Sequence, residues 1–255
     1  MTNSTCIIYS ILLLIALSVT SCTRKPINVK DSFETSSLSG IWSTDRMVKN
    51  SLQIQSAIVR KGHNAAMITL KTGDTFEAGE GKSKDTERDE LREADKLLSV
   101  EGKTYEYQFS LLLPEKFPIV PVRLVIAQWK QYCGGNGLCA DDSPVLAIRY
   151  VSGKLYVTSQ TDTSKVIAFQ TTDEMRNKWL DFRFKVRFSR QNNGLIAAWL
   201  NEKQVINFNG ITCYSAKKGY GDKSLFYFKT GLYRDVMAEP MTIYIDEYSK
   251  KELNE

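Results

Sequence analysis

The chain predicts an all-β fold, a sandwich or a barrel, and three observations carry that expectation. Two runs alternate strictly: Phe182, Phe184, Val186 and Phe188 against Asp181, Arg183, Lys185 and Arg187, and Tyr105, Tyr107, Phe109 and Leu111 against Glu106, Gln108, Ser110 and Leu112. A period of two marks strands with one face on a core and the other toward water. Turn signals separate such runs. Val145 to Tyr150 and Lys154 to Thr158 flank Val151-Ser152-Gly153, which suits a hairpin, and Gln191-Asn192-Asn193-Gly194 closes one strand before another runs from Leu195 to Leu200. Strands at this spacing continue from Asp31 onward, with no internal repeat, coiled coil or low-complexity domain.

Taken in order, the elements begin with an export signal. Residues 1–22 carry no charged side chain, and Ile7 to Leu17 is almost continuously apolar. That stretch is shorter than the roughly 20 residues a bilayer span needs, so it reads as a signal-peptide core. Val19-Thr20-Ser21-Cys22 resembles a bacterial lipobox, which makes Cys22 the lipid-bearing residue of an exported, membrane-anchored lipoprotein. Residues 23–30 read as a tether and 31–255 as a single domain. Removing 22 of 255 residues leaves 233, enough for one large core and few for two. Gly79 to Lys84 reads as an exposed loop. Thr86 to Leu98 is ambiguous, because Leu91, Ala94, Leu97 and Leu98 fall at near-helical spacing among many charges. Asp173 to Lys178 reads as a short helix or turn before Trp179.

The net charge of +5 favours polyanionic partners only weakly, and nucleic acid would share that bias. Export and the lack of a phosphate-cradling glycine loop argue against nucleic acid. Of five cysteines, Cys133 and Cys139 bracket Gly-Gly-Asn-Gly-Leu, a loop flexible enough to close, and an oxidising compartment favours a bridge between them. So short a loop gains about 2 to 3 kcal/mol from the bridge on the chain-entropy model. Cys213 reads as a lone buried thiol. Zinc is a poor match, since His63 is the sole histidine.

Three distant segments form one chemical set: Arg88-Asp89-Glu90-Leu91-Arg92-Glu93, Ala127-Gln128-Trp129-Lys130, and Tyr227-Phe228-Lys229-Thr230-Gly231-Leu232-Tyr233-Arg234. As strands, they place Arg88, Glu90 and Arg92, Gln128 and Lys130, and Tyr227, Lys229 and Tyr233 each on one face. The set resembles the signatures of jelly-roll polysaccharide lyases, in the same order as in alginate lyases. The region from about Asp31 to Tyr248 is similar to the heparinase-I and glucuronan-lyase branch, notably in Leu112-Leu113-Pro114, Trp179-Leu180-Asp181-Phe182, Trp199-Leu200-Asn201 and Ile245-Asp246-Glu247-Tyr248. One departure stands out: Lys130 occupies the position where the pattern often has histidine. The resemblance implies a jelly-roll β-sandwich of the concanavalin A-like lectin and glucanase type. It also implies that residues 88–93 form a strand rather than a helix.

The implied activity is β-elimination at a uronic acid, which needs the substrate carboxylate neutralised, a base for the C5 proton and an acid for O4. Tyr233 is implied as the acid and, on some substrates, also the base, with Lys229 and Arg234 as cationic neighbours. Gln128 is the implied carboxylate neutraliser, since an amide on an otherwise apolar strand needs a cleft or partners. Lys130 shares its face. His63 is the remaining base candidate; without it Tyr233 must do both tasks. Arg88, Arg92, Lys130, Tyr227, Lys229 and Arg234 would bind substrate, with Glu90 holding one arginine in place. Trp129, Trp179 and Trp199 read as core. No cofactor is expected for catalysis, although Asp31 and Asp246 are candidate ligands of a structural calcium, as in some jelly-roll relatives.

The expectation is thus a monomeric, lipid-anchored lyase facing the periplasm or cell surface. Its substrate would be glucuronan, a heparin-like glycosaminoglycan or alginate. Two rivals remain: a non-catalytic carbohydrate-binding protein on the same fold, favoured by Lys130 in place of histidine, and a glycoside hydrolase. The hydrolase needs two carboxylates about 5 to 10 Å apart across the bond.

Overall fold

The computed structural model describes residues 24–43, 47–74, 85–133, 139, 143–221 and 224–254. The signal segment with Cys22, the loop Gly79 to Lys84 and the residues between Cys133 and Cys139 lie outside the described residues. No helix among the described residues is long and apolar enough to cross a membrane.

Among the described residues, sixteen strands follow in chain order. The first eight are β1 (Asn28–Asp31), β2 (Trp42–Ser43), β3 (Leu52–Gln55), β4 (Ala65–Leu70), β5 (Thr86–Glu93), β6 (Ser99–Val100), β7 (Thr104–Leu112) and β8 (Leu124–Gln131). The others are β9 (Leu146–Val151), β10 (Lys154–Gln160), β11 (Lys165–Gln170), β12 (Trp179–Arg187), β13 (Gly194–Leu200), β14 (Lys203–Gly210), β15 (Leu225–Asp235) and β16 (Met241–Leu253). They form two eight-stranded antiparallel sheets. One runs β14-β13-β12-β7-β16-β4-β3 with β1 beside β16; the other runs β11-β10-β9-β8-β15-β5-β2 with β6 beside β15. Two sheets built from strands this far apart in sequence make the jelly-roll sandwich.

Alternation sets which side chains fill it. Along β12, Leu180, Phe182, Phe184 and Val186 are buried while Asp181, Arg183, Lys185 and Arg187 are half-buried on the outer side. Trp129 of β8 sits at the centre, with ring centroids 4.7 Å from Phe184, 4.9 Å from Phe228 and 5.5 Å from Tyr107. Each such ring contributes about 1.5 to 3 kcal/mol through burial, so this cluster ties β7, β8, β12 and β15 together. The hairpin between β9 and β10 turns at Ser152 and Gly153, both with positive φ (50° and 81°), the geometry of a tight primed turn.

Residues 86–93 form strand β5, and the helical spacing further on survives only as one 3-10 turn, Asp95–Leu97. Asp173 to Lys178 contains no helix: Arg176 bridges to Leu113 and donates hydrogen bonds to the carbonyls of Glu115 and Phe117. Of the three tryptophans read as core, only Trp129 is. Trp179 is half-buried and donates to the Val59 carbonyl, and Trp199 lies beneath the Arg183 guanidinium, 3.6 Å from its ring centre.

Candidate active site

The site lies on the outward face of the second sheet, where strand register carries side chains from distant segments into rows. Tyr233 of β15 stands between Arg88 of β5 and Val125 of β8, and Val125 is followed by Arg149 of β9. One step along, Lys229 lies between Arg92 and Gln128, and Tyr227 opposes Lys130. The inward positions on β15 and β8, such as Phe226, Phe228 and Trp129, are core, so parity turns their neighbours outward. The three sequence segments therefore meet on one surface. A cleft of about 290 Å³ opens there, lined among others by Arg88, Arg123, Gln128, Arg149, Lys229 and Tyr233, with Lys130, Lys165, Ser143 and Pro144 at its sides.

Glu90 is buried behind two of the lining residues and is not itself part of the lining. Its side chain is 3% exposed; one oxygen pairs with Lys229 Nζ at 2.6 Å, and the other accepts a hydrogen bond from Gln128 Nε2. The carboxylate thus holds a lysine and an amide. Burial draws the Lys229 ammonium down to about 8, while the adjacent Glu90 charge opposes that loss. Because Glu90 is an acceptor, Gln128 must turn its NH2 toward it, which leaves the second N–H for another acceptor. Opposite Glu90 stands Gly231, with φ of +144°. A Cβ there would lie 2.3 Å from the Asp89 carbonyl oxygen, so only glycine lets the two strands approach this closely.

Tyr233 is half-buried between two guanidinium groups: Arg88 is 4.2 Å and Arg123 5.0 Å from its ring centre. Arg123 also points Nη1 at the phenolic oxygen across 3.5 Å and is itself fixed by Asp235 at 2.7 Å. Such contacts are each worth about 0.5 to 2 kcal/mol, and together they hold the ring between the two cations. Arg92 covers the Tyr227 ring at 4.5 Å and is tethered to Asp95. Arg123, Arg149 and Lys165 escaped the sequence reading. Arg149 carried a signal, lying between Ile148 and Tyr150 in an alternating run, but nothing local says which face its strand shares with Tyr233.

Four expected residues fall elsewhere. Arg234, adjacent to Tyr233, has the opposite parity. It is wholly buried, pairs with Glu87 at 2.8 Å and donates to the carbonyls of Glu239 and Met237, so it cannot reach sugar. His63 is exposed in the connection between β3 and β4 of the other sheet, where its backbone N–H donates to Glu34; it is not in the cleft. Asp31 accepts from the Phe33 amide, the Ser39 hydroxyl and the Trp42 indole. Asp246 accepts from the amides of Arg60, Lys61 and Glu247. Oxygens facing N–H and O–H donors pin loops rather than bind cations. No group of three or more His, Cys, Asp or Glu among the described residues could hold a metal. Cys133 and Cys139 are joined in a disulfide, and Cys213 is buried and free, its thiol pushed by burial up to about 12.

Among the described residues, the cleft lining holds six cations and not one carboxylate or histidine. Among the described residues the lining thus offers no pair of acids such as a glycoside hydrolase uses. The comparisons agree in direction. A family model described as polysaccharide lyase matches residues 33–249. No curated protein matches the chain. Among solved structures, an endo-β-1,4-glucuronan lyase from the fungus Trichoderma reesei is similar with a TM-score of 0.65 and 17% identity, over 83% of this chain and 90% of that one. A family 7 alginate lyase gives 0.55 and 14%, over 82% and 85%. The alginate lyase from Corynebacterium sp. gives 0.54 and 16%, over 81% and 82%. At these identities the likeness shows the fold.

Proposed function

We propose that this chain, which belongs to the polysaccharide lyase family, cleaves a glucuronate-rich polysaccharide by β-elimination with Tyr233 as both base and acid. It is a lyase by family; the substrate and the residue roles are our reading. A single observation carries them: one phenol, one amide and six cations share a cleft that lacks carboxylates and histidine among its described residues. Gln128 and Lys229 would hold the uronate carboxylate, most tightly as charge builds on it when the C5 proton leaves. Tyr233, as phenolate between Arg88 and Arg123, takes that proton. The C5 electron pair forms the C4–C5 double bond, the C4–O4 bond breaks, and the phenol returns the proton to O4.

One group performing both transfers requires the C5 hydrogen and O4 on the same face of the ring. Glucuronate and mannuronate satisfy this; their C5 epimers, iduronate and guluronate, do not. The higher TM-score to a glucuronan lyase than to alginate lyases favours glucuronate of the two. We extend the reading to an exported lipoprotein anchored through Cys22, on the strength of its lipobox-like segment.

The test is a panel of polyglucuronate, polymannuronate, polyguluronate and an iduronate-rich polymer, followed by ultraviolet absorbance of the unsaturated uronate and by reducing ends. Absorbance with the first two alone supports the reading. Reducing ends without absorbance would indicate hydrolysis, and binding without either would indicate a carbohydrate-binding protein.

A further inference from the structure

Arg149 is half-buried in the cleft, and its one hydrogen bond among the described residues runs from Nε to the Thr158 hydroxyl at 3.1 Å. No carboxylate among the described residues pairs with it. Burial first, and then the like charge of Arg123, disfavour its ionised form, yet a guanidinium keeps its proton in a protein. Lys165, on the edge strand β11, lines the same cleft, again with no carboxylate partner among the described residues. Two other cations of the lining differ. Lys229 has Glu90 and Arg123 has Asp235. A desolvated, permanently charged group without a counter-ion in a concave site calls for an anion brought by the ligand.

Its position differs from that of the groups that would hold the reacting carboxylate. Gln128 pairs with Ala147, two residues along β9 from Arg149, and Lys229 lies one strand beyond Gln128. Arg149 and Lys229 are thus two strands apart, roughly 10 Å across the sheet at ordinary strand spacing, and offset along it, room for the charged groups of two neighbouring sugars. Resting on the lyase reading above, we propose that Arg149 and Lys165 form a second oxyanion subsite that holds the charged substituent of the sugar next to the one that loses its C5 proton. The substituent is a carboxylate in a polyuronate and a sulfate ester in a sulfated alternating polymer. Thr158 fixes one edge of the guanidinium, leaving both Nη groups for a bidentate contact.

The experiment measures the affinity of three oligosaccharides for the Tyr233→Phe protein, which cannot turn them over, with and without Arg149→Ala and Lys165→Ala. One ligand is all glucuronate; one alternates glucuronate with a neutral sugar; one alternates glucuronate with a sulfated sugar. Turnover of the same ligands by the wild type is followed separately. Arg149→Ala is expected to weaken the charged-neighbour ligands by about 10- to 100-fold, the size of one charge-assisted bidentate contact, and the neutral-neighbour ligand by less than about threefold. Lys165→Ala is expected to act in the same direction with a smaller loss. A loss confined to the all-glucuronate ligand assigns the subsite to carboxylate, and one confined to the sulfated ligand assigns it to sulfate. Equal losses on all three, or none, overturn the proposal. Wild-type inactivity with the selective losses intact would instead sink the lyase roles and leave the subsite standing.

Discussion

Replacing Glu90 with Gln keeps the side chain's size and a hydrogen-bond partner for Gln128, while deleting the charge that faces Lys229. The two side chains are 2% and 3% exposed and 2.6 Å apart. They therefore fall outside the class of surface pairs worth about 0 to 1 kcal/mol. Removing one member of a buried pair costs about 3 to 5 kcal/mol because the other charge is stranded. A lysine can shed its proton, so the lower end, about 3 kcal/mol, is expected at neutral pH.

The pH dependence has a definite sign. Lys229 is lowered from 10.5 to about 8 in the folded protein. Between those values the unfolded chain binds a proton that the folded one does not, so this group makes wild-type stability rise with pH through that window. In Glu90→Gln the lysine has lost its counter-ion and is neutral in the fold at lower pH, so the rise begins earlier. The gap between the two proteins should therefore be widest at the acid end, narrow as pH rises toward about 8, and stay level above it, where both folded lysines are neutral. Urea unfolding across a pH series measures it. A gap below about 1 kcal/mol at neutral pH, or one that does not narrow as pH rises to about 8, would refute the reasoning.

Three further outcomes are expected. Tyr233→Phe should lower kcat by about 100- to 10,000-fold on polyglucuronate while changing the affinity little, since both guanidinium contacts to the ring remain; steady-state kinetics with calorimetry decide it. Gly231→Ala should lose stability and activity together, because its Cβ meets the Asp89 carbonyl oxygen at 2.3 Å and neither strand can yield without breaking the pairing of β5 with β15; a thermal midpoint equal to wild type would contradict this. Burial raises the Asp89 carboxyl from 3.8 to about 7, with Ser51 and the Val48 amide offsetting only part of it. Stability from this group is therefore present at acid pH and lost as pH climbs to about 7, and Asp89→Asn should unfold at higher urea than wild type at about pH 8, by an advantage that disappears near pH 4.

The fold was legible where alternation is strict, as in Phe182 to Phe188, because parity alone divides core from surface. Thr86 to Leu98 resisted for the opposite reason: β5 has a single apolar residue, Leu91, and charges on both faces, so periodicity has nothing to grip. The grouping of Tyr233, Lys229, Gln128 and Arg88 followed from parity plus the motif resemblance. Parity also argues against Arg234, since adjacent residues cannot share a face; its charge outweighed its position in the reading. Arg149 and Lys165 were hidden because their place depends on the order β8-β9-β10-β11, a long-range fact. The donors around Asp31 and Asp246 are mostly backbone amides of loops, and composition carries no trace of them.

Strand β5 bears a consequence for how the chain assembles. A shift of one residue would exchange Arg88, Glu90 and Arg92 for Asp89, Leu91 and Glu93, and hydrophobicity would register the error at Leu91 alone. What distinguishes the native alignment is ionic: Glu87 finds Arg234, and Glu93 finds Lys250 and the Tyr248 hydroxyl on the facing sheet. Charge matching across the interior thus acts as the proofreader for this segment, and mutants lacking Glu87 or Glu93 should be recovered as trapped, misaligned species during refolding.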